Sequence, residues 1–176
     1  CAKRISIDMS RDIRHAADVL KSGGIIVYPT ETVYGIGCDP FNTDACERIQ
    51  RMKGRPNPQP MLLLAQSIDQ IEKIAGSLGP VSMKLAHAFW PGPLTMIIRL
   101  DPAFFSQYQG LSMHVMSVSE QDNPADDQVT VGSIAFRVTS NPVAAEIIEA
   151  FGGPITSTSA NLTGQPPVTT YENALE

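Results

Sequence analysis

Lys53-Gly54-Arg55 sets two cations on either side of a glycine at the end of a predicted helix, and Ser157-Thr158-Ser159-Ala160-Asn161 gathers short hydroxyl and amide side chains at the end of a predicted strand. Two fixed cations suit a polyphosphate, and small neutral donors can approach phosphate oxygens closely. Each half also has a plainer account. Lys53 can simply complement a helix dipole, and the polar run can cap a turn before Gly164-Gln165-Pro166-Pro167. The anion-site reading rests on the pair. Neither a G-x-x-x-x-G-K-[ST] loop nor a G-x-G-x-x-G turn occurs in the chain, so a bound triphosphate would have to be held by side chains.

The elements that carry these residues follow from local pattern. Asn42 or Thr43 caps a helix that has Asp44 and Glu47 in its first turn and Arg48, Arg51 and Lys53 towards its end, and Gly54 breaks it. Ile25-Ile26-Val27-Tyr28 is a buried strand stopped by Pro29, which delivers Thr30 to Thr32 to a sheet edge. Ile134, Phe136 and Val138 face one way on another strand, leaving Ser133, Ala135, Arg137 and Thr139 on the opposite face. Leu94, Met96, Ile98 and Leu100 alternate in the same manner with Thr95, Ile97 and Arg99. Ile5, Ile7 and Met9 alternate as a first strand, after which Ser10 caps a helix carrying Ile13, Ala17 and Leu20 on one face. Met61 to Ala65 is a further strand, and Ser67-Ile68-Asp69-Gln70 is a capping box. Pro80 and Pro142 each begin a helix, and Thr169-Thr170 precede a last one. Strands alternating with helices of about ten residues argue for an α/β fold, and the half-exposed strands make its sheet mixed rather than wholly parallel.

Composition bounds the rest. A length of 176 residues with 43% hydrophobic content supports one core and one domain. No apolar run approaches the roughly 20 residues that span a bilayer, and Cys1 to Ser6 lacks the apolar stretch of a signal peptide, so a cytoplasmic protein is expected. The three cysteines show no C-x-x-C spacing, which favours reduced structural thiols over a disulfide framework or a zinc site. A net charge of −5 argues against a broad nucleic-acid-binding face and leaves room for a local basic pocket. His15, His87 and His114 are isolated, so no Ser-His-Asp or Cys-His constellation is inferred. The acidic run from Glu120 to Asp127 reads as a solvated loop rather than a metal site.

Tyr28-Pro29-Thr30-Glu31-Thr32-Val33-Tyr34-Gly35-Ile36-Gly37, Trp90-Pro91-Gly92-Pro93-Leu94-Thr95, and Ala135-Phe136-Arg137-Val138 leading into Asn141-Pro142 occur in one order with the two anion elements. In this the chain resembles the YrdC-like family of L-threonylcarbamoyl-AMP synthases. The likeness covers nearly the whole chain, and the family's K-x-R and S-x-N motifs stand here as Lys53-Gly54-Arg55 and Ser159-Ala160-Asn161. It implies an α/β fold with a twisted open mixed sheet flanked by helices and a concave, positively lined groove. A single YrdC-like domain over 1–176 follows, as the single-domain form or a fragment of a longer one.

The resemblance further implies a reaction of L-threonine, bicarbonate and ATP with Mg²⁺. The product would pass to a tRNA threonylcarbamoyl transferase, with direct contact to tRNA or other RNA left open. Lys53 and Arg55 would hold the β- and γ-phosphates and the leaving pyrophosphate. Ser159 and Asn161 would donate to phosphates, with Ser133 also on the nucleotide side, while Thr32, Arg137 and Ser157 would bind threonine. A planar guanidinium at Arg137 can take a carboxylate bidentately, where a lysine could not; an ordinary surface ion pair is the plainer account of that arginine. Glu31 is left open between placing Mg²⁺ and capping a turn. Some relatives carry a histidine in the strand after K-x-R, where this chain has Met61-Leu62-Leu63-Leu64-Ala65, and the 101–132 segment looks longer than usual. The competing class is a module that binds double-stranded RNA or tRNA in the same groove without catalysis.

Overall fold

The computed structural model describes residues 9–55, 57, 59–101, 103, 116–118 and 131–174. Its elements are α1 (Met9–Lys21), β1 (Ile26–Pro29), β2 (Tyr34–Gly37), α2 (Thr43–Met52), β3 (Leu62–Ala65), α3 (Ile68–Ala75) and α4 (Pro80–Phe89), followed by β4 (Met96–Arg99), β5 (Met116–Val118), β6 (Val131–Val138), α5 (Pro142–Phe151), β7 (Ile155–Ser159) and α6 (Tyr171–Ala174). The strands form one sheet in the order β1-β2-β7-β3-β6-β4, with β5 also paired to β6. Among the described pairs only β3 and β6 run parallel, so the sheet is mixed as the alternating patterns require.

The helix boundaries show why the local signals worked where they did. Asn42 accepts from the Ala45 amide at 3.0 Å, and Asn141 accepts from Val143 and Ala144, so both expected caps satisfy helix-end donors. Ser67 makes no side-chain cap bond; instead Gln70 accepts from the Gln66 amide at 2.9 Å, half of the expected box displaced by one residue. Met9 is already helical, so it does not end a strand and Ser10 lies inside α1. Residues 5 and 7, and the acidic run 120–127, lie outside the described residues.

Strand β2 was not expected from pattern, because two of its four residues are glycine, which weakens strand propensity. Packing is the reason for them. A Cβ at Gly37 would stand 2.1 Å from the Thr156 carbonyl oxygen, and one at Gly35 would crowd the Tyr28 ring and Ser157 Oγ. The bare backbone lets β2 lie between β1 and β7, which makes residues 30–33 the tip of a hairpin.

Helices α3 and α4 cover one face of the sheet through Leu63, Ile71, Ala86, Ile98, Ile134 and Phe136. On the other face α1 and α5 pack Leu20, Ile147 and Ile148 against Ile26, Leu64 and Ile155. Full burial of each such side chain contributes roughly 1.5–3 kcal/mol. Helix α2 completes the core with Ala45, Cys46 and Ile49 set against Ile36, Cys38 and Met61. Cys38 and Cys46 are buried with their sulfurs in hydrogen-bonding contact at 3.6 Å. Among the described residues no helix is long and apolar enough to cross a membrane.

Candidate active site

Helix α2 ends in a Schellman turn. Gly54 takes a φ of +64°, the Arg55 amide returns to the Gln50 carbonyl at 3.2 Å, and the Gly54 amide returns to Arg51 at 3.0 Å. Both cations reach the end of β7 from this turn, Lys53 to the Ser159 and Asn161 carbonyls and Arg55 to the Thr158 hydroxyl. Lys53 is only 4% exposed. Its Nζ donates to the Ser159 carbonyl at 2.5 Å and the Asn161 carbonyl at 2.7 Å, which binds the end of α2 to the end of β7. Burial pushes its pKa below the ordinary lysine value, and the neighbouring Arg55 pushes the same way.

Arg55 is fastened less completely. Nη1 donates to Gln50 Oε1 at 3.3 Å and Nη2 to Thr158 Oγ1 at 3.4 Å, both long, while Nε is buried with no partner. Its guanidinium is also desolvated. Gln50 is held in turn by the Gln59 backbone, so the residue that steadies Arg55 is itself steadied. Among the described residues neither Lys53 nor Arg55 pairs with a carboxylate, leaving two positive charges uncompensated.

A second cluster lies on the face that carries Leu64. Arg137 donates from Nε and Nη2 to Thr95 Oγ1, at 3.0 and 2.8 Å, and from Nη1 to Glu31 Oε1 at 3.1 Å. Glu31 Oε2 accepts from the Thr139 hydroxyl at 2.7 Å, which itself accepts from the Asn141 amide. The Arg137 and Glu31 side chains retain 17% and 11% exposure. Three elements meet here: the β1–β2 hairpin tip supplies Glu31, the residue before β4 supplies Thr95, and the end of β6 supplies Arg137 and Thr139. The tip is shaped by Thr30, whose Oγ1 donates to the Val33 carbonyl and accepts from the Thr32 and Val33 amides. The Trp90–Leu94 turn is anchored by the Trp90 indole on the Leu94 carbonyl and by the Gly92 amide on Val138.

The remaining expected residues fall between and around these clusters. Ser157 pairs with Leu62 while Arg137 pairs with Leu64. With only β3 between them, the two share a face two strand spacings across and two residues along, roughly 12 Å apart. Ser157 packs beneath buried Tyr28, whose hydroxyl donates to the Thr156 carbonyl and whose pKa burial pushes far up. Thr32 is exposed at the hairpin tip, its hydroxyl 3.1 Å from that of Thr30. Ser133 is buried at 3% exposure opposite Arg99, four residues along β6 from Arg137.

Asn161 differs from expectation. Its amide nitrogen is committed to the Leu162 and Gln165 carbonyls at 3.0 and 2.6 Å, while Oδ1 is buried without a partner. In this arrangement the free atom is an acceptor, which suits a hydroxyl or a cation-bound water rather than a phosphate oxygen. The Glu31 carboxylate likewise caps no turn: one oxygen accepts from Arg137 and the other from Thr139.

A family sequence profile described as telomere recombination matches residues 18–176. The chain belongs to the Sua5/YciO/YrdC family. Within the family it is 36% identical over 155 residues to the threonylcarbamoyl-AMP synthase of Cellvibrio japonicus, covering 88% of this chain and 72% of the relative. It is 38% identical over 157 residues to the protein of that name from Halorhodospira halophila, covering 88% of this chain and 71% of the relative. Among solved structures, P. abyssi Sua5 complexed with L-threonine superposes with a TM-score of 0.74 at 29% identity, covering 98% of this chain and 44% of that one. E. coli YciO superposes with a TM-score of 0.70 at 25% identity, covering 94% and 71%. The chain thus spans less than half of the P. abyssi protein and over two thirds of the synthases it matches. The twisted open mixed sheet with flanking helices is the fold of these neighbours.

Pattern reading had passed over Thr95, Thr139 and Gln50 as site residues, had taken Thr158 only as part of a polar run, and had left Glu31 open. Face alternation did put Thr95 and Thr139 with the outward residues of their strands. Only the sheet register places both against Arg137.

Proposed function

We propose that this chain is an L-threonylcarbamoyl-AMP synthase, the activity its curated relatives are named for. The observation that carries the reading is the pair of unlike clusters on one scaffold: uncompensated Lys53 and Arg55 for a polyphosphate, and Arg137 with two N–H donors to spare for a carboxylate. The threonine amino group takes up bicarbonate with loss of water and a proton, forming a carbamate. A carbamate oxygen then attacks the α-phosphorus of ATP, and the bond to the β-phosphate breaks to release pyrophosphate. Two anions must meet, so the protein's contribution is cations and positioning rather than a nucleophile.

In this reading Lys53 and Arg55 hold the β- and γ-phosphates and then pyrophosphate, with Ser133, Ser159 and Asn161 about the nucleotide. Arg137 takes the threonine carboxylate, with Thr32 and Ser157 as the further threonine contacts. Among the described residues no group of three or more His, Cys, Asp or Glu side chains could cage a metal. In this reading Mg²⁺ enters as part of the MgATP substrate, on phosphates and waters, as that ion prefers. In this reading the product is an activated carbamate that a tRNA threonylcarbamoyl transferase consumes in the cytoplasm. No observation favours the RNA-binding module without catalysis. Pyrophosphate release that requires threonine, bicarbonate and ATP together is the expected result; no turnover alongside salt-sensitive RNA binding would reverse it.

A further inference from the structure

The Arg137–Glu31 pair is incompletely used. A guanidinium has five N–H donors, of which three go to Thr95 and Glu31; a carboxylate has about four acceptor positions, of which two go to Arg137 and Thr139. Both side chains keep some exposure, so two donors and about two acceptor positions of opposite charge remain side by side. A bare carboxylate meets attraction from one partner and repulsion from the other. A group carrying a carboxylate and an ammonium on the same carbon meets attraction from both.

We propose that Glu31 is the ammonium-binding half of the amino-acid site, so that Arg137 and Glu31 together recognise an α-amino-acid zwitterion. This rests on the reading of Arg137 as the carboxylate clamp and extends it to a residue that reading leaves out. The Thr139 hydroxyl and the Thr30-closed hairpin hold Glu31 at the height of the guanidinium, and the carboxylate keeps Arg137 from turning away before substrate arrives. Selection for an amino acid over a hydroxy acid or a simple carboxylate follows from Glu31, because only a cationic nitrogen relieves its charge.

The test is calorimetric titration of L-threonine and of (R)-3-hydroxybutyrate, which lacks only the amine, into the wild-type chain and Glu31→Gln. The glutamine keeps length: its one oxygen can still accept from Arg137, and its amide N–H can donate to the Thr139 hydroxyl oxygen. Removing one charge-assisted contact should weaken L-threonine binding roughly ten- to a hundredfold. The hydroxybutyrate should bind Glu31→Gln as well as, or better than, wild type. Equal loss of both ligands would reduce Glu31 to a prop for Arg137 and overturn the proposal, leaving the amino-acid site standing. A wild-type chain that binds neither would overturn that site and the proposal with it. Should Glu31→Gln fail to fold, the wild-type preference decides: equal affinity for the two ligands would overturn the proposal.

Discussion

The end of α2 and the end of β6 each present an arginine or lysine to the same scaffold, yet they treat the charge in opposite ways. Among the described residues Lys53 meets no carboxylate: its ammonium rests on two main-chain carbonyls, and Arg55 beside it keeps a buried N–H without a partner. Arg137 is met by the carboxylate of Glu31 at 3.1 Å. The first arrangement holds excess positive charge in a desolvated place, where its field is little screened. The second is nearly neutral overall and sharply polar. Excess charge selects a polyanion by number; a balanced pair selects by geometry, and the two would therefore discriminate different parts of a mixed substrate.

Removing the excess charge should have the largest effect. Arg55→Ala and Lys53→Ala are each expected to lower turnover by on the order of 10²-fold or more. They should differ in stability, which sharpens the comparison within that cluster. Lys53→Ala strands the Ser159 and Asn161 carbonyls and should cost about 1–3 kcal/mol in denaturant unfolding, whereas Arg55→Ala, whose bonds are long, should cost little. Full activity of both variants at saturating ATP would leave Lys53 as a structural strut and dissolve the polyphosphate assignment.

Altering the balanced pair should act on one ligand only. Arg137→Lys is expected to weaken threonine binding by roughly 1.5–3 kcal/mol while leaving ATP affinity nearly unchanged. A variant that binds threonine normally but loses ATP would exchange the roles of the two clusters. Ser159→Ala and Asn161→Ala should show the opposite selectivity, with ATP affinity reduced and threonine affinity retained in the same titrations.

The smallest effect is one of pH. Lys53 has a folded pKa below the ordinary 10.5, so below the folded value both states are protonated and the burial penalty is present in full. As pH rises from the folded value towards the unfolded one, the unfolded chain binds more protons than the folded chain, and stability should rise. Over that window the ammonium is lost and ATP affinity should fall. Lys53→Met should abolish the stability rise in thermal unfolding; its persistence would assign the titration to another group.

The elements that present the candidate residues Lys53, Arg55 and Arg137 were legible in the linear chain because their signals are local. Gly54 after a dipole-ordered helix announces the turn that presents Lys53 and Arg55, and two-residue alternation sets Arg137 and Thr139 against Phe136 and Val138 without knowledge of any neighbour. The length of the resemblance carried the mixed α/β sheet, Lys53-Gly54-Arg55 and Ser159-Ala160-Asn161 to the right family. What the sequence could not decide is which groups satisfy one another across strands. Strand β2 was invisible because its glycines answer to Thr156 and Tyr28, which are distant in sequence. The same holds for Glu31 on Arg137, Thr158 on Arg55, the carbonyls on Lys53 and the committed amide of Asn161. Each depends on sheet order and register, which are set by burial summed over the whole chain rather than by any segment's own propensity.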